Sequence, residues 1–119
     1  MDPLKQPITD KKALLLFEMM KEIRFLDWEV PAQVIATFFY IASHEGCNKQ
    51  AIEEALNFSS ASGSRNTDWL TKRHRLGKSG LGLIIKEADP ANGRRLVLRL
   101  TPKGEAFIEK LKTILYDET

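Results

Sequence analysis

The sequence is poor in cysteine. Cys47 stands alone, so no internal disulfide is available, and a reducing cytoplasm is the expected setting. Long apolar runs are missing too: none approaches the roughly 18 to 20 residues that a membrane-spanning helix needs. The start, Met1-Asp2-Pro3-Leu4-Lys5, lacks a basic stretch followed by an apolar one, which argues against a secretory signal. Histidine is scarce. His44 and His74 lie far apart without Cys or acidic residues at ligand spacing, and Glu45 and Cys47 near His44 are too few for structural zinc. Gly77-Lys78-Ser79 imitates the end of a phosphate loop, but Lys72 stands where that pattern needs its first glycine. Glu53-Glu54 and Asp117-Glu118 read as solvated charges, and no Ser-His-Asp set suggests itself. Neither an enzyme nor a cofactor is expected.

What is present suits one compact domain. The chain has 119 residues, of which 43% are hydrophobic and 29% charged, too apolar for a disordered chain and too charged for a membrane protein. The net charge of +2 conceals an uneven distribution: residues 59–104 hold ten Lys/Arg against three Asp/Glu, and the flanking segments are slightly acidic. A local cationic excess is what neutralises phosphates and releases their counterions; a merely solvated basic face is the plainer reading of the same charges.

Residues 1–8, with two prolines and few apolar anchors, read as a flexible arm. Thr9 or Asp10 caps a helix over 9–28, where Leu14, Phe17, Met20 and Trp28 keep helical spacing. Leu15, Leu16, Met19, Ile23 and Leu26 widen its apolar surface beyond the single stripe a monomer needs, which points to a subunit interface. Pro31 suits the first turn of a second, strongly apolar helix that stops at Gly46. Asn48 caps a short third helix to Leu56. After the turn Asn57-Phe58-Ser59, Ser59 or Ser60 caps a fourth, to about Lys72 or His74, so residues 48–74 form a helix-turn-helix candidate. Residues 81–88 read as a strand, Asp89-Pro90-Ala91-Asn92-Gly93-Arg94 as turn chemistry in which Asn-Gly is a strong hairpin signal, and residues 96–100 as the returning strand. Thr101 caps a last helix with Pro102 at its first position, running over 102–116. The expected fold class is mainly α with a small β-hairpin wing over 81–100: a winged helix-turn-helix filling residues 9–119 as one domain.

These residues resemble the MarR-type winged-helix regulators. The resemblance rests on Gly82-Leu83-Ile84, Asp89-Pro90-Ala91-Asn92-Gly93-Arg94-Arg95, Leu100-Thr101-Pro102-Lys103-Gly104 and, upstream, Ser62-Gly63-Ser64-Arg65-Asn66 with Leu70. It covers about residues 46–107. Where the family usually carries Asp-Arg at the wing tip, this chain has Asn92-Gly93, so either Arg94 or Arg95 takes over the minor-groove contact or the wing touches only backbone.

The resemblance implies a dimeric, sequence-specific transcriptional regulator of double-stranded DNA, paired through its N- and C-terminal helices. The apolar excess of residues 13–30 and 106–115 agrees independently. In a groove-reading helix, small polar residues let the backbone approach: Ser60, Ser62, Gly63, Ser64, Asn66 and Thr67 meet that need, and Arg65 can fork onto guanine. The same residues also suit a flexible loop. Lys72, Arg73, Arg75 and Lys78, with Asn92, Arg94 and Arg95 on the wing, are the candidate phosphate or minor-groove contacts; solvation of an exposed hairpin is the alternative for the last group. Family members often bind small apolar ligands. Trp28, Phe38, Phe39, Tyr40 and Trp69 are the residues available to line such a pocket here, and plain core is their simpler role. Cysteines act as redox sensors in some relatives, but Cys47 lies elsewhere and is expected to be buried and inert. A winged helix also serves as a protein-interaction module, as in a phage or replication assembly, and this is the alternative function.

Overall fold

The computed structural model describes residues 6–27, 29–72 and 79–116. Trp28, Arg73, His74, Arg75 and Lys78, to which the sequence assigns roles, lie outside them, as do residues 1–5 of the N-terminal arm. Helix α1 (Lys11–Leu26) starts where the Asp10 carboxylate accepts from the Ala13 amide. Helix α2 (Ala32–Ser43) begins one residue later than the proline reading suggests: Pro31 is its N-cap, with extended backbone, because its carbonyl already accepts the amides of Val34 and Ile35. Gly46 does not cap this helix. Its φ of +85° turns the chain so that the Gly46 amide reaches the Leu98 carbonyl and Cys47 forms a one-residue bridge with Leu98.

Helix α3 (Lys49–Leu56) opens on the Asn48 side chain and closes on Asn57 in left-handed conformation, φ 57°, a role asparagine tolerates better than most residues. Helix α4 (Ser60–Leu70) follows at once, capped by Ser59, whose hydroxyl accepts from the Ser62 amide. The serine-rich stretch is therefore helix, not loop. Helix α4 ends four residues short of His74, at Leu70.

Strand β1 (Ile84–Asp89) is shorter than the expected 81–88 at its start. Residues 80–83 instead bond the end of α4: the amides of Gly80, Leu81, Gly82 and Leu83 donate to the carbonyls of Lys72, Trp69, Thr71 and Leu70. These carbonyls, left open at a helix C-terminus, find their partners in the segment that leads into the wing. Strand β2 (Asn92–Leu100) pairs antiparallel with β1, Ile84 opposite Leu100 and Ala88 opposite Leu96.

The hairpin turns at Pro90-Ala91, not at Asn92-Gly93. The Asp89 carboxylate accepts from the Ala91 amide and Asp89 pairs with Asn92, so Gly93, Arg94 and Arg95 fall in a register shift within the strand. Pro90, with φ preset for a turn's second position, outcompetes the Asn-Gly signal.

Helix α5 (Pro102–Tyr116) starts on the Thr101 hydroxyl, which accepts from the Gly104 amide. Gly104 packs so closely on the loop before β1 that a Cβ there would lie 2.0 Å from the Leu83 carbonyl oxygen. The Leu-Thr-x-x-Gly motif thus has a mechanical meaning: a buried strand end, a cap and a close approach in five residues.

The core joins α2, α3, α4 and the hairpin through Val34, Phe38, Ile41, Ile52, Leu70, Leu83, Ile84 and Leu98. Trp69 packs against it, as expected, and Phe38 contacts Phe39 and Phe107 in tilted ring pairs. Helices α1 and α5 pack on each other, joined by the Lys110–Glu22 ion pair, and the chain is elongated, 62 × 29 × 27 Å. Leu16, Phe17, Met20 and Phe25 of α1, and Leu115 and Tyr116 of α5, stay exposed, Phe25 by 78%. None of the described helices is long and apolar enough to cross a membrane.

Candidate nucleic-acid interface

Helix α4 has two unlike sides. Its inner side is fixed to the body: Leu70 and Thr67 are fully enclosed, and Gly63 lies against the Glu53 side chain, so closely that a Cβ there would sit 2.8 Å from Glu53 Cγ. Asn66, expected on the groove-reading surface, belongs to this inner side. It is 6% exposed and its amide donates to Gln33 Oε1 of α2 at 3.3 Å. A buried amide needs such a partner, and one that has it is not presented to solvent. Gly63 departs from expectation in the same way, since its smallness admits Glu53 of α3; Thr67 is enclosed by its neighbours yet lies at the wall of the cleft described below.

The outer side carries the exposed Ser60, Ala61 and Arg65, with Ser62 and Ser64 half-buried beside them. Arg65 is exposed and its Nη2 donates to Ser62 Oγ at 3.0 Å, which orients the guanidinium along the helix start. Lys72 is exposed just past the helix end.

Facing this helix across a cleft of about 480 Å³ stands the hairpin. Lys49, Gln50, Ser64, Lys86, Arg94 and Arg95 are among the cleft's lining residues, and Asn92 joins them from the wing. Ser64, Asn92, Arg94 and Arg95, singled out in the sequence, therefore meet on one concave surface. Lys49, Gln50 and Lys86 were missed. Lys49 and Gln50 reach the cleft only because α3 packs beside α4, which no local pattern reveals. For Lys86 a signal existed: strand alternation puts it on the same face as Ile84 and thus against the body.

The cations of this surface divide into paired and unpaired. Lys49 bonds Glu53 and also reaches the Ser60 carbonyl and hydroxyl, tying α3 to the start of α4. Lys86 Nζ lies 2.7 Å from Asp68 Oδ1, and Arg99 Nε lies 3.1 Å from Glu87 Oε2 on the hairpin's other face. Among the described residues, Arg65, Lys72, Arg94 and Arg95 have no acidic partner.

Two other expectations meet this geometry. Phe38, Phe39 and Phe107 line an apolar cavity of about 10 Å³, far below the few hundred Å³ of a small-molecule site. Cys47 is half-buried, and desolvation pushes its thiol above the usual range, which disfavours the reactive thiolate. Among the described residues, no group of three or more His, Cys, Asp or Glu is placed to hold a metal ion.

The sequence matches no protein-family model and no curated protein. Its fold, however, is that of solved MarR-family transcriptional regulators. A mutant of S. aureus MepR bound to an oligodeoxyribonucleotide superposes with a TM-score of 0.65 at 20% identity, over 87% of this chain and 70% of that one. The transcriptional repressor CouR bound to a 23-mer DNA duplex gives 0.61 at 20%, over 89% and 68%. A MarR transcriptional regulator from Methanosarcina mazei gives 0.63 at 15%, over 88% and 68%. The winged helix-turn-helix read from the residues is thus the observed fold.

Proposed function

We propose that the protein is a sequence-specific double-stranded DNA-binding transcriptional regulator that works as a homodimer. One observation carries this reading: Ser64 of α4 and Arg94 and Arg95 of the wing line the same cleft, together with Lys49 and Lys86. In this reading Ser60, Ser64 and Arg65 enter the major groove, where small side chains let the helix backbone come close and Arg65 forks onto guanine O6 and N7. Arg94 and Arg95 hold phosphates or enter the minor groove, and Lys72, with Arg73, Arg75 and Lys78, holds backbone beside the groove. The MepR and CouR structures, both solved with DNA, support the same use of this fold. The exposed apolar residues of α1 and α5 support pairing through that arm, since a patch of this kind is costly to leave in water. A two-fold dimer would read half-sites about one helical turn apart.

Selection of bound sequences from random duplex DNA tests the proposal. A roughly palindromic site is the expected result, with Arg65→Ala weakening the selected site by about 1–3 kcal/mol more than random duplex. No enrichment, and no duplex binding at low salt, would reject it in favour of a protein-interaction module.

A further inference from the structure

Asp68 is an unusual residue for its position. It occupies the last turn of α4, where the helix dipole is negative and a carboxylate is disfavoured, and that turn has no basic residue of its own. It also adds negative charge to the segment richest in cations. Lys86 is equally conspicuous from the other side. In β1 it shares a face with Ile84 and lies opposite Leu98, both buried, so its stem crosses apolar surface before the ammonium emerges. The two meet at 2.7 Å with their side chains only about a quarter exposed, 26% and 25%. Among the described residues this is the one ion pair that joins the hairpin to α4.

We propose that Lys86 is a positioning residue that spends its charge on Asp68, setting the angle between wing and recognition helix and hence the cleft, rather than binding phosphate. This rests on the DNA-binding reading above. Beyond the core that Leu70 of α4 shares with Ile84 and Leu98, the polar ties between α4 and the hairpin are the backbone bonds of residues 80–83, all at its base. A second tie two residues into β1 fixes a direction as well as a hinge. Arg94 and Arg95, farther along β2, amplify any change in that direction.

The test uses the full chain in four forms beside wild type: K86M, D68N, K86M/D68N and the exchange K86D/D68K. The last two keep the net charge. Duplex affinity is titrated over a range of salt, and hydrogen exchange of the hairpin amides is followed without DNA. K86M is expected to bind about tenfold more weakly with an unchanged salt slope, and K86D/D68K to return within about threefold of wild type. Hairpin exchange should quicken in K86M and slow again in K86D/D68K, while unchanged protection at Leu83 shows that the fold is intact. A salt slope shallower by about one per chain in K86M, with no recovery in K86M/D68N or K86D/D68K, would mean that Lys86 touches phosphate and would overturn the proposal. Wild-type affinity and exchange in K86M would overturn it as well. If wild type binds no duplex, the DNA reading has failed, and the exchange arm alone decides whether the pair orders the wing.

Discussion

For the proposed duplex binding, the expected salt sensitivity follows from which cations the fold has already used. Of the ten Lys/Arg in residues 59–104, Lys86 is held by Asp68, Arg99 by Glu87, and Lys103 donates to the Leu81 carbonyl. Arg65, Lys72, Arg94 and Arg95 have no acidic partner among the described residues. If Lys72, Arg94 and Arg95 each neutralise one phosphate, Arg65 being assigned to a base, the slope of log K against log salt is about −2.7 per chain and about −5.4 for two chains on one duplex. Raising salt from about 50 to 200 mM then weakens binding roughly two-thousandfold. Each of Arg73, Arg75 and Lys78 that also reaches phosphate steepens the slope by about 0.9 per chain.

Fluorescence anisotropy on a labelled non-specific duplex measures this slope. Arg94→Ala with Arg95→Ala should reduce its magnitude by about 1.8 per chain. Arg99→Ala should leave it unchanged, because Arg99 lies on the hairpin's other face and bonds Glu87. A wild-type slope shallower than about −2, or a double variant with the wild-type slope, would refute the argument: the wing arginines would then be solvated charges on an exposed hairpin.

Two further outcomes are expected. Phe25→Asp should dissociate the dimer, since burying an exposed Phe is worth about 2 kcal/mol per chain and losing two such contacts weakens pairing roughly a thousandfold; sedimentation velocity showing an unchanged dimer would place the interface elsewhere. Gly104→Ala should lose about 1–3 kcal/mol by overpacking against the Leu83 carbonyl, a fall of several degrees in thermal midpoint, whereas Gly93→Ala, with nothing within 4 Å of the added Cβ, should melt like wild type.

Legibility in the sequence followed the range of the interactions. Caps are local, and Asp10, Asn48, Ser59 and Thr101 could each be read from a few neighbouring residues, or narrowed to two. The helix-turn-helix followed from them. The hairpin turn was legible as the segment 89–94 but not to the residue, because two local signals compete inside it, Pro90 against Asn92-Gly93, and periodicity does not rank them. Asn66 was misread for a different reason. A small polar residue on a helix looks the same on either side, and its partner Gln33 lies 33 residues earlier in the chain. The loop of residues 81–83 is apolar enough to pass for a strand; only the folded chain shows that its amides are taken by α4. The cleft was half legible: its arginines stood out as charge and Lys86 could have been read from strand alternation, while Lys49 and Gln50 entered through packing between distant elements.

Leu83 is where the parts of this fold meet. Its amide donates to the Leu70 carbonyl at the end of α4, and its carbonyl accepts from the Thr101 amide at the start of α5. Gly104 presses on the same carbonyl, and the next residue, Ile84, opens β1. The Thr101 hydroxyl adds a bond to the neighbouring Gly82 carbonyl. Helix α4, the wing and the base of the α1–α5 arm thus share one short, buried segment, held by bonds that are costly to break away from water. Sliding α5 against α4 would have to break one of these bonds, so the end of α4, the base of the hairpin and the start of α5 are tied together. An arm that pairs two chains would then fix the distance between two recognition helices through these ties, which is the condition for reading half-sites at a set spacing.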